Sequence, residues 1–439
     1  MAQLRISGRT AGHIAASLEK QLHAGPSHAG AALPTVRDLA GRLGVSPATV
    51  AAAYKLLRAR GLIAGQRRRG TRVVLPPATP AALAAPPIPS GVVDLATGNP
   101  DPALLPPLEP ALRTVRANHR LYGGAPPDRA LLAFAASEFE ADGIPAASIA
   151  VVSGALDAIE RTLREELRAG DRVAVEDPSF PGVIDLVAAS GFVPTPVAVD
   201  ENGPRADALQ DALGRGCRAM VITPRAHNPT GAAVSPDRAE ELRRMLRRHP
   251  DVLLIENDYA APIAGAPFCT LRGPAHERWA VVRSTSKFLG PDLRVALMAA
   301  DTLTVARVAG RQALGMRWVS HILQQLALAL WTDPASGRRL ARAAAIYAQR
   351  RDALRAALAA RGIAAQGRSG FNLWVGVRDE GQVVRALAER GWAVAAGERF
   401  RLQTAPAIRV TTSTLSPADA QRFAADLADA LRPSAAAFA

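Results

Sequence analysis

The sequence predicts an α/β protein preceded by a winged helix-turn-helix, and three observations lead there. Residues 1–75 are strongly basic and hold short capped helices separated by turns. Residues 76–91 are rich in proline and alanine and nearly uncharged. From residue 92 onward, apolar strand-like runs alternate with amphipathic helices, which calls for a mostly parallel sheet covered by helices on both faces. The expected division is therefore a helical unit at 1–75, a linker at 76–91 and a large domain at 92–439.

Thr10 can cap a first helix in which Ile14, Leu18 and Leu22 recur every four residues, ending near Gly25 and Pro26. Thr35 and Asp38 have the spacing of a capping box, ahead of a short helix that turns Leu39, Ala40 and Leu43 inward. Gly44 makes the turn. Ser46 caps the next helix with Pro47 at its first position, and Val50, Tyr54 and Leu57 face the core. Ala40 and Gly44 are small where two helices must cross, which completes a helix-turn-helix pattern. Residues 64–74 then read as a hairpin, or wing, whose tip carries Arg67, Arg68 and Arg69.

Charge separates this unit from the rest. Residues 1–75 hold twelve basic residues against two acids, Glu19 and Asp38, within a chain of net charge +14. The large domain is close to balance, so a small polyanion binder is joined to an ordinary globular domain. The wing arginines suit phosphate or minor-groove contact. The linker composition cannot pack a core and favours a semi-rigid extended chain. No run approaches the roughly 20 apolar residues of a membrane span, and residues 1–10 are polar and basic, unlike a signal peptide. Cys217 and Cys269 lie far apart without metal-ligand spacing, as reduced packing thiols of a cytoplasmic protein do.

Strands are expected at 150–152, 172–175, 219–222, 252–255 and 280–282, and ligands in such sheets bind beyond the carboxyl ends of the strands. Those ends hold the unusual residues. Ser153, Gly154 and Ala155 open a helix whose free amides suit a phosphate. Phe180 offers a ring after the second strand. The rigid turn at 223–231 presents Asn228, which can donate to a phenolic oxygen. Asn257, Asp258 and Tyr259 follow the fourth strand. After the fifth come Ser284, Ser286 and Lys287, with Arg294 seven residues further on.

Lys287 is the most informative of these. Of 53 basic residues only Lys20, Lys55 and Lys287 are lysine. Arginine replaces lysine wherever charge alone is needed, but a guanidinium cannot form an imine with an aldehyde. A single amine retained in the large domain points to use of the amine itself, and pyridoxal phosphate is the cofactor held as a lysine Schiff base.

With these motifs in view, residues 92–439 resemble a fold-type I pyridoxal-phosphate-dependent aminotransferase-like domain, with a smaller C-terminal α+β subdomain at about 335–439. Residues 1–75 resemble a GntR-type winged helix. The combination resembles the MocR group of regulators, closest to its PtsJ-like members. The resemblance implies that Lys287 carries pyridoxal 5'-phosphate as a Schiff base. Ser284, Ser286, Arg294 and the amides of Gly154 and Ala155 would hold its phosphate, Phe180 would stack on its ring, and Asn228 and Tyr259 would bond its phenolic oxygen. Tyr122 would reach the phosphate of a second subunit, implying a homodimer, and Arg409 would take a substrate carboxylate as a fork. The group's aspartate at the pyridine nitrogen falls on Asn257, which carries no charge to hold a proton there. A shift of one residue would bring Asp258 there instead, and the reading favours Asn257.

In the winged helix, Arg37 and Thr49 match DNA-touching positions and Ser46 a helix start near phosphates. Pro47 stands where an arginine is usual, which moves the burden to Arg67, Arg68 and Arg69. The implied function is a regulator that binds double-stranded operator DNA and senses pyridoxal phosphate or a small amine, controlling vitamin B6 or amine metabolism. The alternative is a working aminotransferase that carries a DNA-binding module.

Overall fold

The computed structural model describes residues 6–23, 31–59, 62–66, 70–73, 88–116, 118–123 and 127–432. The chain divides into two compact units, the first Met1–Ala84 with Ala188–Phe192 and the second Ala85–Val187 with Val193–Ala439. Arg67, Arg68 and Arg69, residues 76–87 of the expected linker and the side chain of Leu22 lie outside the described residues.

The first unit contains α1 (Ala11–His23), α2 (Val36–Leu43), α3 (Pro47–Ala59) and the antiparallel pair β1 (Ile63–Gln66) and β2 (Gly70–Val73). Local signals set its boundaries. Thr10 Oγ1 accepts the His13 N–H at 3.2 Å, Thr35 Oγ1 that of Asp38 at 3.2 Å, and Ser46 Oγ that of Thr49 at 3.2 Å. Gly44 ends α2 in the left-handed region at φ 64°, which only glycine adopts without strain. Ile14, Leu18, Leu39, Val50, Tyr54, Leu57, Ile63 and Val73 share one core. The Tyr54 hydroxyl donates to Pro34 O at 2.8 Å and ties α3 to the entry of α2.

The second unit begins with β3 (Val93–Leu95), α4 (Leu108–Leu112) and α5 (Arg129–Ala141). Alternating elements follow: β4 (Ile149–Val152), α6 (Ala155–Glu166), β5 (Arg172–Asp177), α7 (Pro181–Ala189), β6 (Val193–Asp200), β7 (Gly203–Pro204), α8 (Ala206–Gly214), β8 (Cys217–Ile222), α9 (Pro236–Leu246) and β9 (Leu253–Asp258). Then come β10 (Trp279–Ser284), β11 (Ala296–Ala300), α10 (Thr302–Leu314), α11 (His321–Thr332) and α12 (Pro334–Ala359). The chain closes with β12 (Ala365–Gln366), β13 (Asn372–Gly376), α13 (Glu380–Glu389), β14 (Trp392–Ala396), β15 (Ala407–Thr411) and α14 (Pro417–Ala430).

The eight-stranded sheet has the order β4-β11-β10-β9-β8-β5-β6-β7. All five expected strands lie in it, and two further long strands escape the periodicity. β6 contains Pro194 and Pro196, a pattern that argues against a strand. It is tolerated because residues 193–197 pair with β5 alone, β7 joining only at Val199 and Asp200. β11 is alanine-rich, a weak strand signal, and runs antiparallel to both β10 and β4.

The second sheet, β12-β13-β15-β14-β3, belongs to the C-terminal part but recruits β3, parallel to β14, from residues 93–95. This differs from a subdomain confined to about 335–439. Its consequence is that the chain leaving β3 passes directly over the ends of the large sheet.

On one face of β9 sits a buried ionic cluster. Arg225 donates to both Asp258 oxygens at 2.8 Å, and Arg283 Nε to Asp258 Oδ2 at 2.9 Å, all three residues being buried. Burial would raise the Asp258 carboxyl, but the two guanidiniums overcome it and hold the group below the usual carboxylate range. Asp258→Asn leaves two buried cations short of a counter-charge, and is expected to lower the unfolding free energy of the large domain by about 3–5 kcal/mol near neutral pH. Denaturant titration checks this. Because the native pKa is depressed, the difference from the parent should narrow only as pH falls below the ordinary carboxylate range.

Candidate functional site

The site is built where the segment after β3 meets the carboxyl ends of the large sheet. Lys287, in the loop leaving β10, donates through Nζ to Gly98 O at 2.7 Å. Arg409, on β15, donates through Nη2 to Ala96 O and through Nη1 to Asn228 Oδ1 at 3.1 Å, and its guanidinium lies 4.8 Å from the Phe400 ring. Arginine can only donate, so the oxygen of Asn228 must face it, and Nδ2 is turned away, free to donate. Gly98 has φ +69°, which strains any residue with a Cβ, and a Cβ there would press on Arg409 Nη1 at 3.2 Å.

Arg409 is 4% exposed, has no carboxylate in contact among the described residues, and its Nε has no partner. Burial lowers its pKa to about 10. Burial, with the Arg409 charge second, lowers Lys287 to about 8 from an ordinary lysine value of 10.5. Burial also pushes the Tyr259 phenol well up, and its hydroxyl donates to Ala226 O.

A second group lies at the start of α6. The helix has no side-chain cap at Gly154 (φ +104°), and a Cβ there would collide with Arg294 Nη2 at 2.5 Å. Arg294 donates to Ser153 O at 2.8 Å from a left-handed backbone position, φ 49°. Ser284 pairs across the sheet with Ala296, and Ala296 with Val152, which brings Ser284 level with the start of α6. The Ser284 and Ser286 hydroxyls are 3.1 Å apart. Free amides, two hydroxyls and a guanidinium thus gather at one helix N-terminus, an arrangement suited to an anion.

Phe180 follows β5 and packs close over Gly182, where a Cβ would lie 2.5 Å from its ring. The neighbouring Ser179 N–H donates to Phe400 O at 2.7 Å. Asp177 accepts the N–H groups of Leu402, Gln403 and Thr404 at 2.8, 2.8 and 3.0 Å, fixing the loop that leads to Arg409.

Asp258 lies apart from this group, and Tyr122, expected at a second subunit's phosphate, is on the surface. The Asp258 carboxylate is engaged by Arg225 and Arg283, and side chains alternate along a strand. Asn257 points to the other side of β9, 6% exposed, with Oδ1 lacking any hydrogen-bond partner. Tyr122 is 78% exposed and packs against Trp318 at 5.6 Å, beside a hollow of about 550 Å³ that Arg317 and Ile322 also line.

Sequence reasoning missed Ala96, Gly98 and Phe400, which hold the two cations. No motif marks them, since the first two act through carbonyl oxygens. It also missed the buried pair His227 and Glu176, 3.2 Å apart behind Asn228.

Known proteins resemble this chain in both of its units. Residues 90–427 match the family profile "Aminotransferase class I and II", and residues 10–73 match "Bacterial regulatory proteins, gntR family". The chain is 41% identical, over 97% of its length and 99% of the relative's, to the vitamin B6 salvage pathway transcriptional repressor PtsJ of Salmonella typhimurium. It is 26% identical to the pyridoxine biosynthesis transcriptional regulator PdxR of Corynebacterium glutamicum, over 73% of this chain and 72% of that one. The large unit also resembles the α-aminoadipate aminotransferase LysN of Thermus thermophilus, solved with N-(5'-phosphopyridoxyl)-L-leucine. The TM-score is 0.69 and the identity 23%, over 78% of this chain and 92% of that one, which is a likeness of fold.

The lowered pKa of Lys287 gives a direct expectation. A lysine reacts with aldehydes as the free amine, so reductive methylation by formaldehyde and cyanoborohydride should label Lys287 at a rate that rises through about pH 8 and then levels. Mass spectrometry follows the label. A rate still climbing near the ordinary lysine value, about 10.4, contradicts the buried-amine geometry.

Proposed function

Because the chain belongs to the class I and II aminotransferase family, in the MocR-type group that joins this domain to a GntR-type winged helix, we propose that it is a DNA-binding transcription regulator whose large domain takes up pyridoxal 5'-phosphate as effector. The observation that carries the proposal is Lys287. It is the only amine side chain after the first unit, and its Nζ sits 2.7 Å from Gly98 O with its pKa lowered to about 8.

The residues fit such a cofactor. Lys287 would hold it covalently. Ser284, Ser286, Arg294 and the amides of Gly154 and Ala155 would bind its phosphate, and a Cβ at Gly154 would press on the Arg294 guanidinium. Phe180 would cover the ring, Nδ2 of Asn228 and the Tyr259 hydroxyl, turned from Ala226 O, would meet the phenolic oxygen, and Asn257, whose Oδ1 has no partner, would face the ring nitrogen. When bound, pyridoxal phosphate supplies an aldehyde and an electron-accepting ring. Asn257 cannot hold a proton on that ring by charge, which favours capture over turnover. Arg409 would orient the carboxylate of an amino acid effector.

The exposed Tyr122 face supports a homodimer in which each Tyr122 serves the partner's site. On the first unit, Arg37, Ser46 and Thr49, with Arg67, Arg68 and Arg69, would meet DNA in the cytoplasm. The names of PtsJ and PdxR support target genes of vitamin B6 metabolism.

The test is a gel shift with the full-length protein on DNA upstream of its own gene, with and without pyridoxal phosphate, for the parent and Lys287→Ala. The parent should become yellow with the cofactor and change its DNA affinity roughly 5–150-fold, the usual range of coupling. Lys287→Ala should bind DNA without that response. Absence of DNA binding in every state removes the regulator reading, and steady transamination by the parent would move the assignment to an enzyme.

A further inference from the structure

The face of α3 that a helix-turn-helix lays in the major groove has almost nothing with which to hydrogen-bond a base. Val50, Ala53, Tyr54 and Leu57 turn into the core. This leaves Pro47, Ala48, Ala51 and Ala52 exposed over the first two turns, and Lys55 beyond them. The hydroxyls at the helix start are engaged with each other: Ser46 Oγ caps the Thr49 N–H and lies 2.9 Å from Thr49 Oγ1. Asp38, the nearest carboxylate on α2, accepts from Thr35 Oγ1 at 2.6 Å.

Exposed cations stand on the same two helices, Arg37 and Arg42 on α2 and Lys55 and Arg58 further along α3. Groups that position the duplex are therefore separate from groups that could read it, the division expected when cations meet phosphates and other side chains meet base edges.

In the major groove, guanine and adenine are distinguished by donors and acceptors, and cytosine by its amino donor. Thymine alone also presents a methyl group, which an alanine methyl can contact. Resting on the regulator reading, we propose that α3 selects its operator by apolar contact of Ala48, Ala51 and Ala52 with thymine C5-methyl groups. The exposed cations hold the phosphates and carry no sequence information themselves.

The experiment starts from a random duplex library selected on the full-length protein. The enriched sequence is resynthesised with deoxyuridine replacing thymidine one position at a time, which deletes the methyl and keeps the pairing. Two or more positions in each half-site should lose about fourfold in affinity, the effect of about 0.8 kcal/mol per buried carbon. Restoring a methyl at such a position as 5-methylcytosine should bind more tightly than plain cytosine.

In a second arm, Ala51→Arg provides a donor fork. It should move the preference at one base pair to guanine by roughly 5–150-fold, and circular dichroism should show α3 kept, since both residues are strong helix formers. An enriched sequence whose affinity ignores every thymine-to-uracil change overturns the proposal, as does selection of guanine at these positions that vanishes in Arg37→Ala. Failure to enrich any duplex removes the regulator reading and this inference with it.

Discussion

The site depends on a short strap of backbone. Ala96 and Gly98 each offer a carbonyl oxygen to a cation, Arg409 from the C-terminal sheet and Lys287 from the large sheet. Neither cation has a carboxylate in contact among the described residues, and each disfavours the charge of the other. In a place of low dielectric that tension resolves in two ways: the lysine gives up its proton, or an anion enters. The lowered pKa of Lys287 favours the first, and an anion would instead favour the charged form. The strap reaches both cations because β3, although early in the chain, pairs with β14 and so leaves the small sheet directly over the ends of the large one.

Much of this was legible in the sequence because the signals were local. The caps at Thr10, Thr35 and Ser46 and the left-handed Gly44 fix the first unit without help from distant contacts. The apolar runs ahead of Ser153, Glu176, Thr223 and Ser284 mark strands by composition, and the residues after them fall where such sheets bind ligands. What was not legible is non-local. Pairing of residues 93–95 with Trp392–Val394 joins segments about three hundred residues apart, and nothing in Val-Asp-Leu announces it. The carbonyl partners of Lys287 and Arg409 leave no mark because every residue has a carbonyl. β6 and β11 fail the strand pattern for opposite reasons, proline in one and alanine in the other, and each is decided by its neighbours.

Asn257 and Asp258 differ in what the sheet lets them do. Adjacent strand residues face opposite sides, so only one of the two can reach the ligand side. Two arginines claim Asp258, and Asn257 is left with a buried, unpartnered oxygen. A buried polar atom without a partner is costly and persists in native proteins where a ligand or water completes it.

The chemistry then separates two tasks that a charged residue at position 257 would merge. Capture requires an aldehyde-reactive amine and a phosphate cradle, which in the proposed reading Lys287, Arg294 and the start of α6 would supply. Turnover further requires that the ring be kept protonated as an electron sink, which a carboxylate does by charge and an amide does not. A protein that must report occupancy gains from the first task and loses from the second, because consumption of the ligand erases the signal. In the proposed reading, one lysine in an otherwise arginine-based large domain, together with a neutral residue at 257, is the combination that would hold a ligand without spending it.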